Sequence, residues 1–134
     1  MKIAIDSGFF VGFFAGHARV IELWQEFSKN QHIMIVSTIV LNEIFTHCLR
    51  RGIGASAEQW LETMQALNNV QIVPVSIEIA THSARYRLGM QLSTVDSLIL
   101  STAIVSHCDL LITSDSDLNQ SAIHNLIPIE LLSK

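Results

Sequence analysis

Short apolar, β-branched runs recur along the chain at Ile3 to Ile5, Ile33 to Val36, Val70 to Val75, Leu110 to Ile112 and Ile127 to Ile129. Helix-spaced patterns separate them, and strands alternating with helices predict an α/β fold with a parallel sheet covered on both faces. Val20, Leu23, Trp24 and Phe27 fall at i, i+3, i+4 and i+7, giving a helical stripe within Ala18 to Lys29 whose outer face carries Glu22, Gln25, Glu26 and Lys29. Ser37 is placed to cap a helix running to Arg51 and ended by Gly52, with Ile39, Val40, Ile44 and Leu49 on its buried side. Ser56-Ala57-Glu58-Gln59 has the form of a capping box opening a helix through Trp60, Leu61, Met64 and Leu67, stopped at Asn68-Asn69. Ser76 predicts the start of a helix reaching Gly89. Ser93 predicts the start of another, Thr94 to His107, with Leu98, Ile99, Ala103 and Ile104 buried. Phe9, Phe10, Phe13 and Phe14 fit no single stripe: on a helix they would spread over about 140° of arc, leaving one or two free for a dimer or protein-partner groove.

The chain has 134 residues, a length that suits one domain with a continuous core, and no repeat or linker divides it. Charged residues are 15% of the composition and mean hydropathy is +0.40, so much apolar surface needs cover and an oligomer or a tight protein partner is expected. Cys48 and Cys108 stand alone, without ligand spacing, as free thiols of a reducing compartment. The apolar stretch from Phe9 to Ala15 imitates a secretory signal, but Asp6 interrupts its approach and no A-x-A follows. No run is long enough to span a membrane, and a cytoplasmic location is expected. The six histidines are dispersed and give no zinc spacing.

Five carboxylates gather where strands meet helices, or close by. Asp6 follows the first strand, Asp115 and Asp117 follow Leu110-Leu111-Ile112-Thr113, Asp96 lies at a helix start and Glu43 lies inside a helix. In an open parallel sheet the ligand crevice lies beyond the carboxyl ends of the strands, where the following helices also begin. Acids from four sequence regions therefore converge on one edge, an arrangement that is costly unless a cation holds it. Hard cations such as Mg²⁺ or Mn²⁺ take such oxygen ligands. Each acid also has a plainer reading: Asp96 completes the capping box Ser93-Thr94-Val95-Asp96, Asp115-Ser116-Asp117-Leu118 resembles a polar turn, and Glu43 resembles an exposed helix residue. The net charge of −4 argues against a nucleic-acid partner until the five acids are set aside, which leaves eight basic groups against seven acidic ones, a balance of +1.

Ile5-Asp6-Ser7, Leu41-Asn42-Glu43-Ile44, Thr94 to Ala103 and Leu111-Ile112-Thr113-Ser114-Asp115-Ser116-Asp117-Leu118 together resemble the PIN-domain ribonucleases of the VapC-like toxin group, in family order and over essentially the whole chain. That resemblance implies a single PIN domain over residues 1–134, with a three-layer α/β/α fold around a central parallel sheet of about five strands. It further implies a Mg²⁺- or Mn²⁺-dependent endoribonuclease. Asp6, Glu43, Asp96 and Asp115 would be its catalytic, metal-holding quartet and Asp117 an accessory metal ligand. Ser7 or Thr113 would orient water or a carboxylate. RNA is the implied substrate, a cognate antitoxin the implied protein partner, and a homodimer the expected assembly. The chain departs from the family pattern at Ser7-Gly8, where Thr-Ser or Thr-Asn is common, and at Leu118, where Phe is common; neither removes an acid.

Arg50 and Arg51 at one helix end, and Arg85 and Arg87 on another helix, are candidate contacts to RNA phosphate or to an acidic antitoxin segment; favourable helix-end charge is the plainer reading for the first pair. The alternative function is a catalytically silent PIN-like module that binds RNA or protein. A receiver or haloacid-dehalogenase-type phosphotransfer site is disfavoured, because Gly8 stands where the latter needs a second Asp and no lysine occurs between Lys29 and Lys134. No phosphate-binding G-x-x-x-x-G-K-[ST] loop is present.

Overall fold

The computed structural model describes residues 1–133. Five parallel strands, β1 (Lys2–Ile5), β2 (Ile33–Ser37), β3 (Val70–Val73), β4 (Leu110–Thr113) and β5 (Ile129–Leu131), form one sheet in the order β3-β2-β1-β4-β5. Seven α-helices connect them: α1 (Ser7–Phe14), α2 (Ala18–Ser28), α3 (Thr38–Arg50), α4 (Gly54–Ala66), α5 (Ile77–Met90), α6 (Thr94–Val105) and α7 (Ser121–His124). A 3₁₀ turn, Ser116–Leu118, follows β4. Given the right-handed crossovers that parallel strands adopt, this strand order sets α1 to α4 on one face and α5 to α7 on the other, making three α/β/α layers.

β1 lies at the centre, with Ile3, Ala4 and Ile5 all buried, as expected of a strand covered on both faces. It pairs with β2 through Ile3–Met34 and Ile5–Val36, and with β4 through Ile3–Leu110 and Ile5–Ile112. The chain leaves β1 toward β2 on one side and returns through β4 on the other, so the topological switch falls at the carboxyl end of β1. Asp6 is the next residue. α6 packs across β1, β2 and β4 and meets α5 as an antiparallel neighbour, burying Ile99, Leu100 and Ala103. Its Ser97, Ser101 and Thr102 are buried too, each donating its hydroxyl to a helix carbonyl, so a polar composition conceals an almost wholly enclosed helix.

The structure departs from the sequence expectations at several points. The helix expected to open at Ser56 begins at Gly54 without a side-chain cap, because α3 ends abruptly: Gly52, at φ +69°, turns the chain so that the Ile53 N–H reaches Cys48 O at 3.0 Å. Ser56 is therefore a third helical residue. Leu49 is exposed and Cys48 takes the buried position in the last turn of α3. The last strand starts at Ile129, two residues late, because Pro128 has no N–H to donate; its carbonyl accepts from Leu111 N at 3.0 Å. Leu98 and Ile104 are only half-buried. Cys48 is buried and Cys108 half-buried, both as free thiols. Among the described residues no helix is long and apolar enough to cross a membrane.

The edge strand β5 is held by Arg19 of α2, whose Nε and Nη2 donate to the two Glu130 oxygens at 2.9 and 3.0 Å. Leu100 is fully buried where α6 crosses the sheet. Leu100→Ala is expected to lower unfolding free energy by about 2–5 kcal/mol, read from the urea midpoint at unchanged m-value.

Candidate metal centre

Asp6 is built into the fold from three directions. As the N-cap of α1 it accepts the Gly8 N–H on Oδ1 at 2.9 Å. On Oδ2 it accepts the Thr113 hydroxyl at 2.5 Å and the Ser114 N–H at 3.3 Å. Thr113 ends the neighbouring strand β4, so the bond ties together two strand ends that are 107 residues apart. The same Thr113 Oγ1 accepts from Asp115 N at 3.0 Å, and Asp115 Oδ1 accepts from Asp117 N at 2.9 Å. Leu118, wholly buried, fastens the end of that turn to the core.

Asp96 arrives from the other layer. Ser93 caps α6 by accepting the Asp96 N–H at 3.1 Å, which fixes the first turn and directs the acid to the sheet edge. One carboxylate oxygen from each of Asp96, Asp115 and Asp117 lies within 4.8 Å of the others. Glu43, about a turn and a half inside α3, stands outside that tight group, as does Asp6. Ser7 Oγ donates to Glu43 Oε1 at 3.3 Å, joining the first turn of α1 to α3.

The electrostatics record the crowding. Burial pushes the Asp6 carboxyl above its ordinary range against the opposing pull of its hydrogen bonds. Glu43 is raised first by burial, then by the charges of Asp6 and Asp115, while Ser7 lowers it. Asp96 is pushed up to about 7, by burial first and then by its contact with Asp115 and the charge of Asp117. Among the described residues no arginine or lysine pairs with these acids; the ion pairs belong to Arg19 and His32 with Glu22, Glu26 and Glu130. An all-oxygen, net-negative donor set without a protein counter-charge fits a hard divalent cation.

Beside the acids, α1, α3 and α4 enclose a groove of about 790 Å³. Ser7 and Glu43 line it together with Arg50 and Arg51, over a floor that includes Phe10 and Trp60 in an edge-to-face pair at 4.7 Å between ring centroids. Phe9 and Phe10 are core residues, whereas Phe14 is 68% exposed. Arg87 lies on a different groove between α5 and α6, and Arg85 is exposed on α5, so the two arginine pairs do not share one surface. The histidines stay dispersed: His17 meets Ser133 O at 2.7 Å, His124 meets Asn119 at 2.7 Å, and none joins a three-ligand group among the described residues. Residue patterns alone did not single out the backbone donors of Gly8 and Ser114 that hold Asp6; the only signal was a glycine near the start of a helix, where propensity disfavours it.

The fold is an open, doubly wound parallel α/β domain with an acidic cluster at its switch point. The chain belongs to the PIN domain family, whose model matches residues 3–123. No curated protein sequence matched it. Among solved structures it is similar to a chain of Rickettsia felis VapBC2 bound to a promoter DNA fragment, at 20% identity and TM-score 0.76 over 99% of this chain and 100% of that one. A chain of DNA-bound VapBC from Salmonella typhimurium matches at 14% identity and TM-score 0.74, with 99% of each chain covered. Mycobacterium tuberculosis VapC20, described as a sarcin-ricin loop cleaving toxin, matches at 17% identity and TM-score 0.68 over 87% of this chain and 92% of that one.

The raised acids give a pH signature. Between the ordinary 3.8 of an aspartate and about 7, the folded protein holds a proton on Asp96 that the unfolded chain has released. Stability from this group is therefore complete at low pH and is lost as pH rises toward 7. In chelator-treated protein the thermal midpoint, once corrected for the other ionisable groups with Asp96→Asn as reference, is expected to fall between pH 4.5 and 7.5. A flat difference between the two proteins would overturn the assignment.

Proposed function

We propose that this protein is a divalent-metal-dependent endoribonuclease, the toxin of a toxin–antitoxin pair. The observation that carries the reading is the convergence of Asp96, Asp115 and Asp117 oxygens within 4.8 Å, with Glu43 and Asp6 alongside, at the edge where a parallel sheet binds ligands. Asp6, Glu43, Asp96 and Asp115 would hold Mg²⁺ or Mn²⁺, with Asp117 as an accessory ligand. When bound, such an ion supplies Lewis-acid polarisation of the phosphodiester and a more acidic water. The chain's own part is to hold the acids ready: Thr113 and the backbone keep Asp6 in one orientation, Ser7 steadies Glu43, and Ser93 fixes the turn that bears Asp96.

RNA as substrate is supported by family membership and by the description of VapC20 as a toxin that cleaves the sarcin-ricin loop. An antitoxin partner is supported by the VapBC complexes among the similar structures. The groove between α1, α3 and α4 offers that partner an apolar floor, with Arg50 and Arg51 at its basic end. Arg85 and Arg87, on a separate surface, are candidates for contact with RNA phosphate or an acidic antitoxin segment. A homodimer would cover Ile77 and Leu88, which are 85% and 86% exposed on α5, and a cytoplasmic location would suit action on RNA.

Cleavage mapping on total cellular RNA in Mg²⁺ or Mn²⁺ tests the reading. Asp96→Asn and Asp6→Asn are expected to lower cleavage by at least about 10²-fold with an unchanged circular dichroism spectrum, and excess EDTA to abolish it. Cutting that survives both the substitutions and the chelator would sink the metal mechanism. With a cognate antitoxin in hand, Arg50→Glu with Arg51→Glu is expected to weaken the complex about tenfold or more in calorimetry; unchanged affinity would remove the groove from the interface.

A further inference from the structure

Gly8 is the second residue of α1, where helix propensity alone favours alanine. Its backbone φ lies outside the left-handed range, so conformational freedom does not explain the glycine. Space does. A Cβ built at position 8 would stand 1.9 Å from Ser114 Oγ, 2.6 Å from Ser114 Cβ and 3.1 Å from Asp6 Oδ1. The hydroxyl can rotate away from such a contact, but Ser114 Cβ is fixed by the backbone, so one of the two segments would have to move. Both segments hold Asp6: Gly8 N donates to Oδ1 at 2.9 Å, and Ser114 N donates to Oδ2 at 3.3 Å. The residue before Gly8 is Ser7, the donor to Glu43 at 3.3 Å. The residue after Ser114 is Asp115, whose carboxylate joins Asp96 and Asp117.

We infer that Gly8 is a positioning residue of the acidic centre, and that its partner is Ser114. The missing side chain lets the first turn of α1 close against the loop after β4, and this closure sets the spacing between Asp6 with Glu43 on one side and Asp115 on the other. With Ser114 opposite, as in this chain, a Cβ at position 8 wedges the two apart. Two carboxylates would then lose their donors together, although neither acid had been touched. The inference rests on the proposed metal-dependent reading for its consequence on catalysis, but not for the contact itself.

Four variants test it: Gly8→Ala, Ser114→Gly, Gly8→Ala with Ser114→Gly, and Gly8→Ala with Ser114→Ala. Three quantities are read for each in the full chain: Mn²⁺ affinity by calorimetry, RNA cleavage, and hydrogen-exchange protection of the amide at position 114, which reports the bond to Asp6 without metal. Gly8→Ala is expected to weaken Mn²⁺ binding about tenfold or more, to reduce cleavage in proportion, and to lose amide protection. Ser114→Gly alone is the baseline against which the double variant is read, because Ser114 N itself holds Asp6. Adding Ser114→Gly to Gly8→Ala should recover most of the loss, while adding Ser114→Ala should recover less, because the interfering Cβ remains. General destabilisation would not follow which Ser114 atoms are present.

Wild-type behaviour in Gly8→Ala, or a double variant with Ser114→Gly no better than Gly8→Ala, overturns the inference. Should Gly8→Ala fail to fold, restored folding, protection and Mn²⁺ binding in the double variant with Ser114→Gly supports the inference, and continued failure of that double variant overturns it. A wild-type protein that neither binds Mn²⁺ nor cuts RNA is the separate failure of the metal-dependent reading, and amide protection across the series then decides the positioning role.

Discussion

The hydrogen bond from Thr113 to Asp6 is the joint on which the arrangement turns. It links the carboxyl ends of β1 and β4, the two strands that flank the topological switch, and it is buried from water. A carboxylate in that position carries a desolvation cost, offset in part by three donors: the Thr113 hydroxyl and the Gly8 and Ser114 N–H groups. Because those donors come from both α1 and the loop after β4, satisfying Asp6 obliges the two segments to meet. Thr113 then accepts from Asp115 N, so the same side chain orders the next acid. Fold and site are thus not separable here: the polar group that would be most expensive to leave unpaired is also the one that organises its neighbours.

Each layer contributes a different part to this edge. α3 brings Glu43 from one face of the sheet and α6 brings Asp96 from the other, while β1 and β4 supply Asp6 and Asp115 from the middle. Four contributions from four stretches of chain make the site a product of tertiary structure rather than of any one motif. Burial first, and the mutual repulsion of the acids after it, raise the proton affinities of Glu43 and Asp96. The fold tolerates it because rigid elements hold the acids and because little else at this edge is unsatisfied.

Much of the fold was legible because its central strands are short β-branched runs and its helices carry capping serines at Ser37, Ser76 and Ser93, each of which accepts the backbone bond its position foretold. α1 was not: Ser7 to Phe14 is apolar at almost every position, so periodicity has nothing to report, and only tertiary packing separates buried Phe9 and Phe10 from exposed Phe14. The Ser56 capping pattern was genuine as a pattern but was pre-empted by the tight turn at Gly52. The strand at the C-terminal end was shifted by the missing donor of Pro128. At the candidate site, sequence order placed all five acids at one sheet edge, yet it could not tell that Asp96, Asp115 and Asp117 crowd together while Asp6 and Glu43 stand apart. That distinction depends on side-chain distances set by Thr113 and Ser7, which composition and spacing do not encode.

Leu118 gives the acidic loop one last property. Asp115 and Asp117 occupy partly or fully exposed positions, where charged side chains on a turn would ordinarily sample many geometries. With Leu118 sunk into the core immediately after them, the turn inherits the rigidity of the interior. The backbone share of the entropy cost of gathering these acids is consequently met once, during folding.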